Sequence, residues 1–478
     1  MRTAFCVETV RGAERELMAR LPEGALMQRA AAGLAVACAE LLGRVYGRRV
    51  VLLVGSGDNG GDALYAGARL ARRGAGVSAV LLTPERTHTG GLAALRRAGG
   101  VVVGTGAAEE LVERADLVVD GIVGIGGKGG LRPDAVPLAA AAERSRAAVV
   151  AVDLPSGVEA DSGEVRGAAV RADLTVTFGT HKPGLLIDPA REYAGIVRFV
   201  DMGLGDVLPG EAELQALQHA DVAGLLPVPG GESDKYRRGV VGIAAGSSRY
   251  PGAAVLAVAG ALRGGAGAVR YVGPASQAVL ARFPETLVSD QGPRKAGRVQ
   301  AWVVGPGAGD DAGAVAEVLG TDVPVLLDAD GLRLAERDVV RGREAPTLMT
   351  PHAGEAAALL GVTREEVEGA RLASVRELAA RYGATVLLKG STTLVAGAEG
   401  GPVRVNPTGT PWLATAGSGD VLSGLAGSLL AAGLSALDAG SVGAYLHGLA
   451  GRFAARGAPV GAHDVAEAIP AAWRDVRG

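Results

Sequence analysis

The segment Ala416-Gly-Ser-Gly-Asp420 stands directly before an apolar helical stretch, Val421–Ala432, and has the residue types needed for phosphoryl transfer. Gly417 and Gly419 would leave the amides at the helix N-terminus free to face a phosphoryl oxygen. Asp420 would lie in the first helical turn, where a carboxylate can take a proton from a hydroxyl that attacks phosphorus. Alternatively, Asp420 only complements the helix dipole. The preceding NPTGTPWLAT and the upstream LKGSTT favour phosphoryl transfer.

Three further segments of the C-terminal half could hold a ligand. Gly305-Pro-Gly307-Ala-Gly309 follows the predicted strand Val299–Val304 and would form a nest of backbone amides. Thr350-Pro-His-Ala-Gly-Glu355 places His352 at a strand-to-helix turn, where the imidazole could bind a ligand or cap the helix. Leu388-Lys-Gly-Ser-Thr-Thr393 brings a lysine and three hydroxyls to the end of another predicted strand.

A glycine-rich loop in the N-terminal half, Gly55–Gly60, satisfies G-x-G-x-x-G between the predicted strand Arg49–Val54 and the predicted helix Ala63–Arg73. Amides at such a helix N-terminus attract phosphate. As a dinucleotide-binding fingerprint the loop is incomplete, because no acid stands about 20 positions further on to hold a ribose. The segment also carries three polar side chains that a plain fingerprint does not need, which favours ligand binding over a structural turn: Asp58, Asn59 and Asp62.

Polar residues follow two further predicted strands of this half. Asp120 ends one strand and precedes GIVGIGGKGG, which contains Lys128, and Asp153 ends another and precedes LPSG, which contains Ser156. The carboxyl ends of parallel strands line the ligand crevice of an open sheet. Asn59, Asp120 and Ser156 could therefore offer hard oxygen ligands to an alkali or alkaline-earth cation. Each aspartate alone is more commonly a cap, but their shared register favours a functional site.

The elements that must position these residues are alternating strands and helices, which predict parallel sheets with helices on both faces. Residues 14–43 have a helical pattern and precede the first long strand. The pattern weakens across residues 203–235, which are rich in Gly, Pro and acids, contain one short helical pattern and are predicted to be a linker. It restarts at Gly239. For 478 residues, two three-layer α/β domains in tandem are expected.

Composition excludes several classes of protein. The 48 basic and 51 acidic residues give a net charge of −3, so neither nucleic acid nor an anionic membrane is an expected partner. Hydrophobic residues at 48% and charged residues at 21% exclude a disordered scaffold. Two cysteines cannot build a disulfide framework or a cysteine metal cluster. No apolar run of about 18 residues and no leader is evident, so we expect a cytoplasmic protein.

Lysine is scarce, with five residues against 43 arginines. Where a lysine does occur, a compact ammonium with three donors can be what the position requires. This directs attention to the following five positions: Lys128, Lys182, Lys235, Lys295 and Lys389.

Together these motifs resemble those of the bifunctional NAD(P)H-hydrate repair enzymes. The resemblance rests on GSGDNGGD, VVDGIVGIGGKGG, VVAVDLPSG and FGTHKPG in the N-terminal half, and on GPGAG, DADGL, TPHAGE, LKGSTT and NPTGTPWLATAGSGDVLSG in the C-terminal half. It implies a Rossmann-like epimerase domain at 1–212 and a nucleotide-dependent dehydratase domain at 213–478. The second domain also resembles ribokinase-like kinases, which share the G-x-G-D helix opening.

The resemblance implies that the first domain interconverts the R and S hydrates of NADH and NADPH (NADHX and NADPHX). The second would dehydrate the S form at the expense of ADP, giving AMP and phosphate, with Mg²⁺ balancing the diphosphate charge. Asp420 would deprotonate the ring hydroxyl, which takes a phosphoryl group before phosphate leaves. The implied hydrate-binding residues are Ala253, Gly307, His352 and Asp420. The implied nucleotide-binding residues are Lys389, Gly390, Ser391, Thr392, Thr393 and Gly419.

For the epimerase domain the resemblance implies a K⁺ site at Asn59, Asp120 and Ser156. Asp153 would be the acid/base for loss and return of the ring hydroxyl. The implied hydrate-binding residues are Asp58, Asn59, Gly60, Gly61, Asp62, Gly124, Ile125, Gly126, Gly127, Lys128, Gly129, Gly130 and Asp153.

The chain departs from the family pattern in two places. Asp58 and Ala63 replace the usual Asn and Gly, which adds a negative charge near a phosphorylated ligand, and Thr410–Leu413 reads T-P-W-L where N-P-G-M is usual. Both departures bear on affinity more than on the type of reaction.

Two alternatives stay open: a C-terminal kinase of a small alcohol, and an N-terminal domain that binds a cofactor without catalysis. The preferences for ADP or ATP and for NADHX or NADPHX are also open. We expect small-molecule substrates, no nucleic acid or membrane partner, and a homo-oligomer whose order the residues do not specify.

Overall fold

Runs of Val, Leu and Ile separated by helical segments form two mainly parallel sheets in the structure, a computed structural model that describes all 478 residues. The chain folds as two compact units, Thr3–Glu213 and Leu214–Gly478, and Met1 and Arg2 belong to the second unit. The predicted α/β fold class is confirmed.

The predicted linker across residues 203–235 is wrong for residues 214–225, for which only a short helical pattern was expected. Leu214–Ala216 forms a strand that pairs in parallel with Val403–Asn406, and His219–Leu225 forms a helix closed by a capping box at Gln218. Backbone pairing within the C-terminal sheet therefore fixes residues whose Gly- and Pro-rich surroundings suggested a spacer.

Strands are numbered from β1 (Arg2–Ala4), an edge strand of the C-terminal sheet. The sheet of the N-terminal unit contains β2 (Arg49–Val54), β3 (Gly76–Leu81), β4 (Val101–Val103), β5 (Leu117–Gly121), β6 (Ala148–Val152), β7 (Leu174–Phe178) and β8 (Ile196–Val200). All seven strands are parallel, in the order β4-β3-β2-β5-β6-β7-β8. The order reverses between β2 and β5, and ligands bind at such reversals, outside the carboxyl ends of the strands.

Seven helices accompany this sheet: α1 (Val7–Met18), α2 (Ala25–Leu42), α3 (Asp58–Arg72), α4 (Thr89–Arg97), α5 (Ala108–Glu113), α6 (Val136–Arg144) and α7 (Arg191–Ala194). Alternate residues of β2 explain the layers. Val50, Leu52 and Val54 pack into one hydrophobic cluster, and Val51 and Leu53 pack into another on the opposite face. Both faces of the sheet are therefore covered, which is the usual condition for a parallel sheet.

Helix α2 is long and apolar enough to cross a membrane by length and composition alone. The expectation that the chain has no such run is therefore corrected. Leu34, Ala35 and Cys38 of α2 are buried in the same hydrophobic cluster as β2. This packing is typical of a core helix in an α/β unit, and core helices can be as long and as apolar as a membrane-spanning helix.

The C-terminal unit adds ten strands: β9 (Leu214–Ala216), β10 (Val240–Ala244), β11 (Ala268–Val272), β12 (Leu287–Ser289), β13 (Ala301–Val304), β14 (Val325–Leu327), β15 (Thr347–Met349), β16 (Thr385–Leu388), β17 (Thr393–Ala396) and β18 (Val403–Asn406). The order is β1-β9-β18-β17-β16-β15-β14-β13-β10-β11-β12. Strands β10 to β16 are parallel to one another, whereas β17 is antiparallel to β16 and β18. The order reverses between β10 and β13, which predicts a ligand crevice there.

Twelve helices belong to this unit: α8 (His219–Leu225), α9 (Pro251–Arg263), α10 (Ser276–Arg282), α11 (Ala312–Leu319), α12 (Asp330–Leu334), α13 (Arg337–Arg341), α14 (Ala353–Leu360), α15 (Arg364–Gly369), α16 (Arg371–Tyr382), α17 (Ser418–Ala431), α18 (Ala436–Ala455) and α19 (Ala462–Arg477). Helices α9 and α17 approach closely because each presents a glycine to the other's backbone. A Cβ at Gly424 would overlap the carbonyl oxygen of Ala257, and one at Gly260 would overlap that of Val421. This contact fixes the distance between the two helices.

We expect Gly424→Ala to lower the free energy of unfolding of the C-terminal unit by about 1–3 kcal/mol, because the added methyl would force the two helices apart. Urea unfolding followed by circular dichroism measures the change. The matched control is Gly252→Ala in α9, where a Cβ would meet nothing within 4 Å. The control should be neutral or slightly stabilising, by about 0.5–1 kcal/mol. Equal stability of the two variants would contradict the close packing.

Candidate active sites

The G-S-G-D segment opens α17, and Asp420 lies in its first turn. Gly417 precedes the helix with a φ of 87°, a left-handed conformation that favours glycine. A Cβ at Gly419 would lie 3.4 Å from Nζ of Lys389. The structure therefore brings two predicted residues, the glycine of the helix opening and the lysine of LKGSTT, to one place at the helix N-terminus.

An aspartate that we did not assign to the site joins these residues. Nζ of Lys389 donates to Oδ1 of Asp328 at 2.8 Å and lies 3.8 Å from Oε2 of Glu355. Oγ of Ser423, one turn into α17, donates to Oδ2 of Asp328 at 2.7 Å. Asp328 follows β14 directly, so its carboxylate is held at a strand end between α17 and Lys389.

This arrangement shifts the pKa of Asp420. Burial, and after it the Asp328 carboxylate, raise the pKa of Asp420 to about 7 against the lowering effect of the Lys389 ammonium. Burial alone would lower the pKa of Lys389, but the carboxylates of Asp328 and Glu355 outweigh it, so that pKa is raised. The result is a charged lysine beside a carboxyl group that changes protonation near neutral pH, which suits a general base.

The loop Lys389–Thr393 is shaped by a buried arginine from α16. Nη2 of Arg371 donates to the carbonyl oxygens of Lys389 at 2.9 Å and Thr392 at 3.1 Å. A Cβ at Gly390 would overlap the Arg371 guanidinium, and a Cβ at Gly409 would lie 3.1 Å from the carbonyl oxygen of Ser391. The arginine holds carbonyls of this loop inward and so fixes its course.

Besides Asp420, the three other predicted hydrate-binding positions of this unit are placed as follows. A Cβ at Gly307, which has a φ of 61°, would lie 2.6 Å from the Cβ of Ala253, so these two residues are neighbours. His352 caps α14: its Nδ1 accepts from the amide of Glu355 at 3.1 Å, and Glu355 accepts from the amide of His352 at 2.8 Å. His352 thus has the cap role, and through Glu355 it is linked to Lys389.

In the N-terminal unit, Asp120 and Ser156 form one hydrogen-bonded group. Oγ of Ser156 donates to Oδ1 of Asp120 at 2.6 Å, its amide donates to Oδ2 at 2.8 Å, and its Oγ also accepts from the amide of Val123 at 2.9 Å. Asn59 donates its side-chain amide to the carbonyl oxygen of Val152, and a Cβ at Gly124 would overlap its Oδ1. The segment 123–124 therefore connects all three residues predicted as cation ligands.

Asp153 follows β6 with a φ of 67°, a left-handed conformation that is costly for a residue other than glycine. Its Oδ1 accepts from Thr177 at 3.0 Å and from the amide of Phe178 at 3.2 Å, and it forms an ion pair with Lys182. Lys182, which is 1% exposed, also donates to the carbonyl oxygen of Phe178 at 3.0 Å. The backbone is thus strained at Asp153, and Oδ1 of its carboxylate is fully engaged, so that Oδ2 is the oxygen available to a ligand.

Further carboxyl groups face Asp153. Asp62 is buried with Oδ1 lacking a hydrogen-bond partner; burial raises its pKa well above the ordinary value, and Asp153 and Asp58 raise it further. Burial also raises the pKa of Glu14 on α1, whereas Lys182 lowers it. Asp58, the departure from the family pattern, therefore favours a protonated Asp62 that can donate a hydrogen bond to a ligand.

The predicted glycine loop 124–130 runs from Asn59 to a cavity of about 450 Å³. Gly129 and Gly130 have left-handed φ values of 80° and 87°. Ile125, Gly126, Gly127 and Lys128 line the cavity together with residues of α1. Gly60 and Gly61 lie in the first turn of α3, and a Cβ at Gly60 would lie 2.5 Å from the carbonyl oxygen of Gly55.

Two protein families match the two units. The family described as NAD(P)H-hydrate dehydratase matches residues 241–471, and the family described as YjeF-related protein N-terminus matches residues 23–184. The chain is 51% identical to the bifunctional NAD(P)H-hydrate repair enzyme Nnr of Mycobacterium leprae (strain TN), covering 95% of this chain and 94% of that protein. The chain belongs to this family.

Other relatives agree with this membership. The enzyme of the same name from Mycobacterium tuberculosis (strain CDC 1551 / Oshkosh) is 52% identical over 92% of this chain and 91% of its own length, and that of Escherichia coli (strain K12) is 35% identical over 86% and 82%. Among solved structures, the ADP/ATP-dependent NAD(P)H-hydrate dehydratase of Bacillus subtilis, co-crystallised with ATP and Mg²⁺, matches with a TM-score of 0.51 and 28% identity. It covers 55% of this chain and 99% of its own.

Sequence reasoning did not assign two residues that the structure places at the centre of the sites. Asp328 lies in DADGL, which was noted only for the resemblance, and Lys182 lies in FGTHKPG and was singled out as a scarce lysine without a role. Two signals could have found them. Asp328 ends a strand as Asp120 and Asp153 do, and Lys182 is one of five lysines in the chain.

Proposed function

We propose that this chain repairs hydrated NADH and NADPH, with epimerisation of the R and S hydrates in the N-terminal unit and nucleotide-dependent dehydration of the S form in the C-terminal unit. The observation that carries the proposal is Asp420, a carboxyl group with a pKa of about 7 at the glycine-rich N-terminus of α17. Family membership supports the pairing of the two reactions in one chain.

In the dehydration, Asp420 takes the proton of the ring hydroxyl while the hydroxyl oxygen attacks the terminal phosphorus of ADP or ATP. The amides at the start of α17 and the Lys389 ammonium stabilise the negative charge that develops on the phosphoryl oxygens. The C–O bond then breaks as the ring nitrogen lone pair supplies the electrons, and phosphate leaves. The resulting iminium ion loses a proton from the neighbouring ring carbon, which restores the double bond of NADH or NADPH. Asp328 and Ser423 keep Lys389 and the first turn of α17 in this position.

Magnesium would enter with the nucleotide. No group of three or more His, Cys, Asp or Glu side chains is placed to hold a metal ion, which fits an ion bound mainly by nucleotide phosphates and water. When bound, Mg²⁺ would neutralise charge on those phosphates.

In the epimerisation, Asp153 exchanges a proton with the ring hydroxyl as the C–O bond breaks and as water returns to the other face of the ring. Lys182 is a positioning residue for Asp153, since its ion pair fixes one carboxylate oxygen. Asp62, protonated by its burial, would donate a hydrogen bond to the substrate.

The donor set in the N-terminal unit fits potassium. Asp120 is 0% exposed and bonds only to Ser156 and to the amide of Ile122, so its buried carboxylate has no cationic side chain to balance it. Asn59, Asp120 and Ser156 all offer oxygen atoms, which hard cations prefer. Potassium would supply the missing positive charge there and so stabilise the glycine loop above it.

We expect epimerisation to fall when K⁺ is replaced by a bulky organic cation at equal ionic strength, because Asp120 would then lose its counter-charge. Dehydration of S-NADHX serves as the internal control and should change little. Epimerisation that is independent of K⁺ would contradict the assignment of the cation site.

Dehydration is expected to lose kcat/KM as the pH falls below about 7, because Asp420 must be deprotonated to accept the hydroxyl proton. A pH profile of kcat/KM for S-NADHX at saturating nucleotide measures this. A profile that stays flat down to pH values well below 7 would contradict a basic role for Asp420.

Phosphate release tests the reaction class. The proposed mechanism forms one NADH and one inorganic phosphate per nucleotide consumed, whereas a kinase of a small alcohol would leave the phosphoryl group on its product. Phosphorus NMR of a complete reaction separates the two outcomes.

A further inference from the structure

The cavity beside the glycine loop 124–130 is closed on one side by α1, which precedes the segment matched by the YjeF-related family. Arg11 and Arg15 stand one helical turn apart on α1, so they share a face of the helix. Both line the cavity, opposite Gly126 and Lys128. A helix that the family motifs do not include thus presents two guanidinium groups to the proposed substrate loop.

The Arg11 guanidinium and the loop fit closely. A Cβ at Gly126 would lie 2.6 Å from Nη2 of Arg11, so a larger residue there would push the guanidinium away. The guanidinium groups of Arg11 and Arg15 form no hydrogen bond or ion pair within the structure. Two unpaired guanidinium groups and an ammonium that line the same cavity form a site for phosphate oxygens.

Carboxylates also line the cavity. The charged side chains around it are Glu8, Arg11, Arg15, Lys128, Glu159 and Asp161. Oδ1 of Asp161 is already engaged, because it accepts from the amide of Val7 at 2.7 Å. Separate acidic and basic groups suit a nucleotide, whose ribose hydroxyls donate hydrogen bonds and whose phosphates accept them.

The position of the cavity indicates which part of a ligand reaches it. The loop begins at Gly124 beside Asn59, in the crevice that contains Asp153, and four residues later Lys128 lines the cavity. Four residues span at most about 14 Å, so the cavity adjoins the crevice. A dinucleotide with its nicotinamide ring at Asp153 would place its other half along the loop.

We propose that Arg11 and Arg15 bind phosphate oxygens of the NAD(P)H hydrate in the cavity, a role that rests on the proposed epimerase function. Two phosphate sources share this chemistry: the diphosphate, present in both hydrates, and the 2′-phosphate, present only in NADPHX. Because the contact lies away from the reacting carbon, it contributes to binding in the ground state and the transition state alike.

Epimerisation by the full-length variants Arg11→Gln and Arg15→Gln, assayed with NADHX and with NADPHX, tests the proposal. Loss of a charge-assisted hydrogen bond is expected to raise KM about tenfold with kcat unchanged. An equal rise for both hydrates assigns the diphosphate, and a rise for NADPHX alone assigns the 2′-phosphate. The control is Arg20→Gln, whose guanidinium pairs with Glu16 on the exposed surface and does not line the cavity.

The outcomes that overturn the proposal differ from those that overturn the epimerase function. Active wild-type enzyme with unchanged KM values in both cavity variants would refute phosphate binding by α1. Wild-type protein without epimerase activity would refute the epimerase function instead. Titration calorimetry with ADP-ribose then tests whether the cavity binds phosphate. If the Arg11→Gln variant keeps every ADP-ribose binding site of the wild type, phosphate binding by the cavity is refuted; if it loses one site, phosphate binding is supported.

Discussion

Asp420→Asn is expected to lower the rate of nucleotide-dependent dehydration by about 10²–10⁴-fold, the usual contribution of a positioned general base. The amide cannot accept the hydroxyl proton, whereas the helix opening and the Lys389–Asp328 pair would stay in place. Epimerisation of the R and S hydrates should be unchanged, since it depends on the other unit. Steady-state assays of both reactions on one purified variant measure the two effects.

A matched variant separates catalysis from the helix dipole. Asp438 also stands in the first turn of a long helix, α18, where its amide hydrogen-bonds to Ser435. If Asp420 only complemented the dipole of α17, Asp420→Asn and Asp438→Asn would have similar small effects on activity. Loss of both reactions in a folded Asp420→Asn protein would contradict the assignment of two independent sites.

Asp153→Asn is expected to reduce epimerisation by about 10²–10⁴-fold while dehydration of S-NADHX continues. The asparagine keeps the shape but cannot exchange a proton, and it leaves the buried Lys182 ammonium without its counter-charge. Chiral chromatography of the hydrate pool over time measures the rate of epimerisation.

Stability must be followed in the same variant, because removal of one partner of a buried ion pair costs about 3–5 kcal/mol. Thermal unfolding shows whether the N-terminal unit stays folded at the assay temperature. Lys182→Arg is the second variant: it keeps the positive charge, and we expect partial activity with a smaller loss of stability. The surface control is Asp134→Asn, whose carboxylate is 3.7 Å from Arg132 and half exposed. Wild-type epimerisation by folded Asp153→Asn would refute the role of Asp153.

Residues that chemistry confines to strand ends and helix openings could be predicted from the sequence. Asp120 lies at the end of β5, Asp153 follows β6 of the same sheet, and Asp420 follows a glycine pair at the start of a long apolar helix. Parallel strands bring their carboxyl ends together whatever their separation in sequence. For that reason local pattern alone was sufficient to place these groups at two crevices.

Pairings between distant segments could not be predicted in this way. Lys389 meets Asp328 across 61 residues, and Arg371 holds the loop after β16 from a different element. Such contacts depend on side-chain direction and helix packing, which no single segment specifies. The positions of Glu14 and Arg11 could not be predicted either. The sequence has one helical pattern over residues 14–43, whereas the structure has two helices, α1 and α2, separated at Pro22 and Gly24.

Helix boundaries also changed the interpretation of one motif. The segment Asp58–Asp62 was predicted to be a loop before a helix at Ala63, but α3 begins at Asp58. Two glycines in its first turn lower the helix propensity, so the sequence pattern did not indicate that the helix begins there. They are required there for space, because Gly60 lies against the carbonyl of Gly55 and Gly61 lies against Met27.

The most direct test of the two-site account is recovery of NADH from a mixture of its R and S hydrates. Purified protein would be incubated with the mixture, K⁺, Mg²⁺ and either ADP, ATP or no nucleotide, and the near-ultraviolet absorbance of reduced nicotinamide followed to completion. The account predicts nucleotide-dependent recovery of NADH from both epimers. Recovery that stops once the S form is consumed would contradict an epimerase in the N-terminal unit, and no recovery with either nucleotide would contradict the dehydratase.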